Sequence, residues 1–102
     1  MSQPVIVIAT FAAQSERRGE LRALLEGMIA PTRSEEGCRR YDLYDVPADG
    51  DLVLIERYDD EAALDHHRTT GHYRNYRRHL GALIARPISV KVLAAVDEAR
   101  PE

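Results

Sequence analysis

Residues 39–58 read RRYDLYDVPADGDLVLIERY, and this stretch decides the fold. Two β-prone runs flank Pro47-Ala48-Asp49-Gly50. In such a turn Pro presets φ, Asp bonds its own backbone and Gly accepts positive φ. Arg39 to Val46 is expected as one strand. Tyr41, Leu43 and Asp45 share one face, and Asp42, Tyr44 and Val46 share the other. Leu52 to Tyr58 is the returning strand, with Leu52, Leu54, Glu56 and Tyr58 on one face and Val53, Ile55 and Arg57 on the other. The pair makes an antiparallel hairpin.

Upstream, PVIVIATFA at residues 4–12 is a third strand. Val5 to Ile8 are all apolar, which predicts burial on both faces. Leu21, Leu24, Leu25, Met28 and Ile29 then recur on one helical face. Ser15 is the expected N-cap, Pro31 the expected kink or break, and Gly37 the end of a helix surviving to about Glu35.

Downstream, Asp59 or Asp60 is expected to cap a helix running to about Arg68. Thr69-Thr70-Gly71 breaks it. A longer helix is expected from His72 to Ile84 or Ala85, with Tyr73, Tyr76, Leu80, Leu83 and Ile84 on one side. Pro87 stops it, and Ile88 to Val96 is the last strand. The order is β-α-β-β-α-β, an α+β ferredoxin-like split βαβ with a four-stranded antiparallel sheet. A single domain is expected, with a core at residues 4–96 and a frayed polar tail at 97–102. With both helices on one sheet face, the apolar residues of Val5–Ile8 and Ile88–Val96 left on the other need a cover, and a second copy of the chain is the simplest one.

Composition narrows the function. A net charge of −3 argues against electrostatic binding of nucleic acid. The single cysteine, Cys38, has no internal disulfide partner and no evident activating neighbour. The chain shows no secretory leader and no apolar run of membrane-spanning length, so a cytoplasmic location without membrane association is expected.

Several pieces in order resemble the antibiotic biosynthesis monooxygenase family. They are IAPTRSEEGCRRYDLY at 29–44, IERY at 55–58, EAALDHH at 61–67 and GHYRNY at 71–76. The resemblance covers about residues 5 to 95. It implies a dimeric α+β barrel with sheets packed face to face and a pocket between sheet and helices in each subunit. Well-known members of that family oxygenate aromatic polyketides or quinols with molecular oxygen and no metal or flavin; others degrade haem, and relatives catalyse isomerisation. The family's functional positions fall here on Glu56, Tyr58, His67 and His72, with Tyr76 a looser match. Two features depart from the pattern. Tyr58 stands where the family often has Trp, and this chain has no Trp. The first strand lacks the Asn of the haem-degrading branch, which sets that branch aside.

The residues themselves carry a parallel reading. On a helix, His67 follows Ala63 and Leu64 by four and three positions and turns inward, whereas His66 lies about 200° from Leu64 and turns outward. His67 is therefore a candidate catalytic base, or else a core histidine bonded to a backbone carbonyl. His72 precedes Tyr76 by four residues, so the two can face one pocket; otherwise it packs the junction after Gly71. Glu56 on the helix-facing side needs a partner. It either orients His67 or His72 or forms an ion pair with Arg22 or Arg40, the simpler expectation. Tyr41, Tyr58 and Tyr76, with Tyr44, either line a substrate pocket or fill a core without Trp.

No metal and no cofactor are expected. His72 and His79 lie about 10 Å apart along a helix, and His66, His67 and His72 straddle a break without a familiar ligand spacing. The resulting expectation is a cofactor-independent monooxygenase acting on a phenolic, quinol or polyketide-like aromatic with O2. Its catalytic residues are His67 and His72, and its substrate-binding residues are Tyr58, Tyr76, Glu56 and Tyr41. The alternatives are a non-catalytic dimeric module that binds a small aromatic, and an isomerase with the same proton-moving groups.

Overall fold

A computed structural model describes residues 3–99. The strands are β1 (Val5–Phe11), β2 (Cys38–Asp45), β3 (Leu52–Tyr58) and β4 (Ser89–Leu93). The helices are α1 (Arg18–Glu26), α2 (Ile29–Arg33), α3 (Glu61–His67) and α4 (Gly71–Leu80). The strands form one sheet in the order β2-β3-β1-β4, every pair antiparallel. This is the expected α+β ferredoxin-like fold, with each helical segment of the βαβ units divided in two.

The hairpin closes as its turn chemistry predicts. Val46 N donates to the Asp51 carbonyl at 2.8 Å and Gly50 N to the Val46 carbonyl at 2.8 Å. Gly50 carries φ +79°, a conformation that costs a residue with a Cβ more. Strand β3 alternates strictly: Leu52, Leu54, Glu56 and Tyr58 are buried under the helices, and the residues between them are half-buried. Register aligns Val7, Glu56 and Tyr41 across three strands of that face. Phe11, Leu21 and Leu25 are each 0% exposed in the core between sheet and helices. Burial on that scale contributes about 1.5–3 kcal/mol per large side chain.

Several expected boundaries shift. Ser15 does not cap α1; the helix starts three residues later, after a turn in which Arg17 N donates to the Gln14 carbonyl and Glu16 takes φ 69°. Pro31 is not the break. It is the third residue of α2, in the first turn, where a missing N–H leaves no bond unmade. The break lies at Gly27-Met28 instead. Gly37 does not end a helix but allows a close approach: a Cβ there would lie 2.4 Å from the Ala63 Cβ of α3. Helix α4 begins at Gly71, capped by the Thr70 side chain, and stops at Leu80. The chain beyond it is drawn into sheet-like bonding, with Gln14 N donating to the Leu83 carbonyl and Ala85 N to the Ala12 carbonyl, each at 2.8 Å. Asp60 caps α3 by accepting from Ala63 N.

The last strand is shorter than Ile88–Val96, and its apolar residues lie otherwise than expected. Val90 pairs with Ala9 and Val92 with Val7, so both valines project on the helix side of the sheet. The helices do not reach that far, and the two are 43% and 54% exposed. The helix-free face presents Ile6, Ile8, Thr10, Val53, Ile55 and Leu93. In the tail, the expected frayed segment 97–102, Glu98 is bonded to Arg57 at 2.7 and 2.9 Å; residues 100–102 lie outside the described range. Among the described residues no helix is long and apolar enough to cross a membrane.

Candidate active site

Helix α3, strand β3 and the turn after α2 converge on one imidazole. His67, the last residue of α3, is 2% exposed, whereas His66 is exposed. Its Nδ1 bonds Glu35 Oε2 at 2.8 Å. Tyr73, Tyr58 and Tyr41 surround its ring, with centroid distances of 5.1, 5.3 and 5.9 Å. His67 is thus held by a carboxylate and not by the backbone carbonyl offered as its structural alternative. Burial lowers its proton affinity more than the Glu35 hydrogen bond raises it, so the ring favours the neutral form. A carboxylate can only accept. Nδ1 then carries the proton and Nε2 keeps its lone pair.

Glu35 also accepts from His72 Nε2, on the same oxygen, at 2.6 Å. Its side chain is 6% exposed, and the second oxygen, Oε1, is buried without a partner. His72 is the more accessible imidazole, its side chain 24% exposed. It stands behind His67 on Glu35 and is not among the residues lining the cavity described below.

Glu56 is buried on the helix-facing side of β3, but its partner is neither Arg22 nor Arg40. Those arginines pair with Glu26 and Asp42 at the surface. The Tyr58 hydroxyl donates to Glu56 Oε1 at 2.5 Å, and His67 Nε2 lies 4.0 Å from the same oxygen, beyond hydrogen-bond reach. Burial pushes Glu56 up from 4.5 to about 7, against the opposing hydrogen bond from Tyr58. Burial likewise raises the phenols of Tyr41, Tyr58 and Tyr76 above their ordinary value. Cys38 is pushed up to about 11 by burial, leaving an unreactive thiol.

A small cavity of about 40 Å³ adjoins these groups. Glu56, His67, Tyr41 and Tyr76 line it, with Tyr73, Arg68 and the aliphatic residues Val7, Leu54 and Val90. At about 10–15 Å³ for one water, the space holds a few water- or O2-sized molecules. The lining joins a largely apolar wall to two proton-accepting groups and one cation.

Of the expected site residues, His67, Glu56, Tyr41 and Tyr76 meet at the cavity. Tyr58 supports Glu56 from behind, and His72 supports Glu35. The sequence reading did not assign a role to Glu35, or to Tyr73 and Arg68 in the wall. A signal for Glu35 existed: Met28, Thr32 and Glu35 are spaced i, i+4, i+7, and the first two are buried. A carboxylate continuing an inward row is an expensive placement that needs a partner.

A family model for antibiotic biosynthesis monooxygenase matches residues 4–79. The chain belongs to this family. It is 54% identical over 99 residues to the Mycobacterium tuberculosis protein named "Putative monooxygenase Rv0793", covering 97% of this chain and 98% of that one. The solved structure of Rv0793 superposes with a TM-score of 0.92 at 55% identity, over 95% of this chain and 99% of the other. The structure of PA3566 from Pseudomonas aeruginosa gives 0.88 at 33% identity, over 95% and 98%. These relatives share the fold described above.

Proposed function

We propose that this antibiotic biosynthesis monooxygenase family member oxidises a phenolic, quinol or polyketide-like aromatic with O2, the substrate itself supplying the electrons. The observation that carries this reading is His67: anchored at Nδ1 by buried Glu35, it offers Nε2 to a largely apolar cavity lined by tyrosines. In the proposed cycle Nε2 takes the phenolic proton. The electron-rich anion passes one electron to O2, and the radical pair joins to form a C–O bond. Loss of water from the hydroperoxide leaves a quinone, so that one phenol and one O2 yield one quinone and one water. Arg68 lines the same cavity, and in this proposal its cation would favour the developing anionic charge.

The second His67 contact concerns position. Nε2 and Glu56 Oε1 are 4.0 Å apart, a gap that one phenolic oxygen can bridge at about 2.8 Å to each, donating its proton to Nε2 and accepting from Glu56 in its protonated form. Tyr41 and Tyr76 would hold the ring, and Tyr58 acts through Glu56. Substrate binding in this proposal requires the cavity wall to move, because about 40 Å³ is too small for an aromatic ring.

The working unit in this proposal is a homodimer closed over the helix-free face. Ile6, Ile8, Val53 and Ile55 form a contiguous apolar patch there on neighbouring strands, half-buried within one chain.

The experiment is oxygen uptake on a reactive hydroquinone by three variants, after folding and assembly are checked. His67→Ala should lose about 10²–10⁴-fold in turnover. His72→Ala should lose less, because its ring reaches the chemistry only through Glu35. His66→Ala should match the parent protein. Equal turnover in all three would remove histidine from the mechanism. Proton transfer with no oxygen consumed would favour an isomerase on the same site.

A further inference from the structure

The carboxylate that holds the two imidazoles has a second use. Glu35 Oε2, His67 Nδ1 and His72 Nε2 come from three elements, and one ligand atom from each lies within 4.8 Å of the others. The two contacts to Oε2, at 2.8 and 2.6 Å, are hydrogen-bond distances; adjacent ligands around a tetrahedral ion about 2.1 Å from each stand about 3.4 Å apart, so side-chain shifts of under about 1 Å open the three groups around one ion. Glu35 Oε1 is buried and has no partner, although a buried carboxylate oxygen without one is costly. The hydrogen-bonded state therefore leaves half of the carboxylate unsatisfied. There is also a way in. His72 is partly exposed, and an outer groove lined by Glu35, Glu36, Asp60 and His66, with Asp59 paired to Arg39, runs at the surface beside the cluster.

We propose that Glu35, His67 and His72 form a binding site for a divalent transition-metal ion, and that occupancy switches off the proton-accepting form of His67. Two imidazoles and one carboxylate suit zinc and its neighbours and not calcium or magnesium, which prefer all-oxygen sets. The ion replaces a proton-mediated contact with a coordinate bond. His67 must then give Nδ1 to the metal, and its single ring proton moves from Nδ1 to Nε2. The ring stays neutral, but the nitrogen facing the cavity becomes a donor with no lone pair. The inhibitory consequence rests on the proposed role of His67 as base; the site itself does not.

The test is carried out on the intact, chelator-stripped protein with zinc sulfate in calorimetry and cobalt(II) in absorption spectroscopy, neither of which needs turnover. One ion per chain is expected, with visible cobalt bands from a nitrogen–oxygen site. Glu35→Gln and His72→Gln should each weaken binding at least about ten-fold, while His66→Ala and His79→Ala should leave it unchanged. Both ligand variants keep the side-chain size, and circular dichroism checks their fold. No saturable binding up to about 100 µM would overturn the site, as would affinity unchanged in both ligand variants or lost with His66→Ala. Zinc that binds and abolishes oxygen uptake, reversibly with chelator, supports the whole proposal. Zinc that binds without affecting uptake overturns the switch and the role of His67 as base, and leaves the site. Uptake that fails in every condition while zinc binds counts against the oxidation reading alone.

Discussion

Replacing Glu56 by Gln should stabilise the protein, and by an amount that depends on pH. Glu56 is 6% exposed, and burial pushes it from 4.5 to about 7. The folded state therefore binds more protons than the unfolded state between those two values. Stability contributed by this group falls as pH rises through that window and is constant above it. At about 1.4 kcal/mol per pH unit, ionising Glu56 inside the fold costs about 3 kcal/mol. Glutamine mimics the protonated acid: its oxygen still accepts from Tyr58, and its amide replaces the acid proton. The variant should match the parent near pH 4.5 and exceed it by about 3 kcal/mol at pH 8. In a domain of this size that is a shift on the order of 10 °C in Tm. Urea unfolding of both proteins at pH 5, 6, 7 and 8, at one fixed concentration, reads the difference directly. A difference that does not grow with pH would refute the reasoning, as would a variant less stable than the parent at pH 8. The carboxylate would then be stabilised by its surroundings and not penalised by them.

Gly37→Ala should destabilise the fold by about 1–3 kcal/mol, the usual cost of overpacking. A new Cβ meets Ala63 at 2.4 Å, so α3 must move; thermal melts check the loss. The same movement displaces His67, and turnover should fall with the melting temperature. Ile8→Asp, on the helix-free face, should convert a dimer to a monomer in light scattering, whereas a parent protein already monomeric at micromolar concentration would defeat the dimer proposal. Val7 is unsuitable for this test because it lies under the helices. The rate with a hydroquinone should rise with pH along an acidic limb lying below ~6.5, the ordinary histidine value, because burial lowers His67. Loss of that limb in His67→Gln would assign it, and its persistence there would assign it elsewhere.

Local chemistry alone determined much of this protein. The turn residues Pro47 to Gly50 and the alternation of Leu52, Leu54, Glu56 and Tyr58 set the hairpin, because side chains of a strand change face at every residue. The helix period alone turned His67 inward and His66 outward. The order of elements then left few topologies to choose from. Tertiary structure decided what local periodicity does not contain. Where α4 ends and which face of β4 carries Val90 follow from pairing across the sheet, including the bonds of Ala12 and Gln14 to the segment after α4. The candidate site belongs to this second class. Glu35 meets His67 and His72 across 32 and 37 residues of chain. No spacing rule spans that distance, since the contact exists only after α3 and α4 pack beside the turn that follows α2. A buried carboxylate finds its partners through the whole fold, and it is the packing of the fold that makes one oxygen serve two imidazoles.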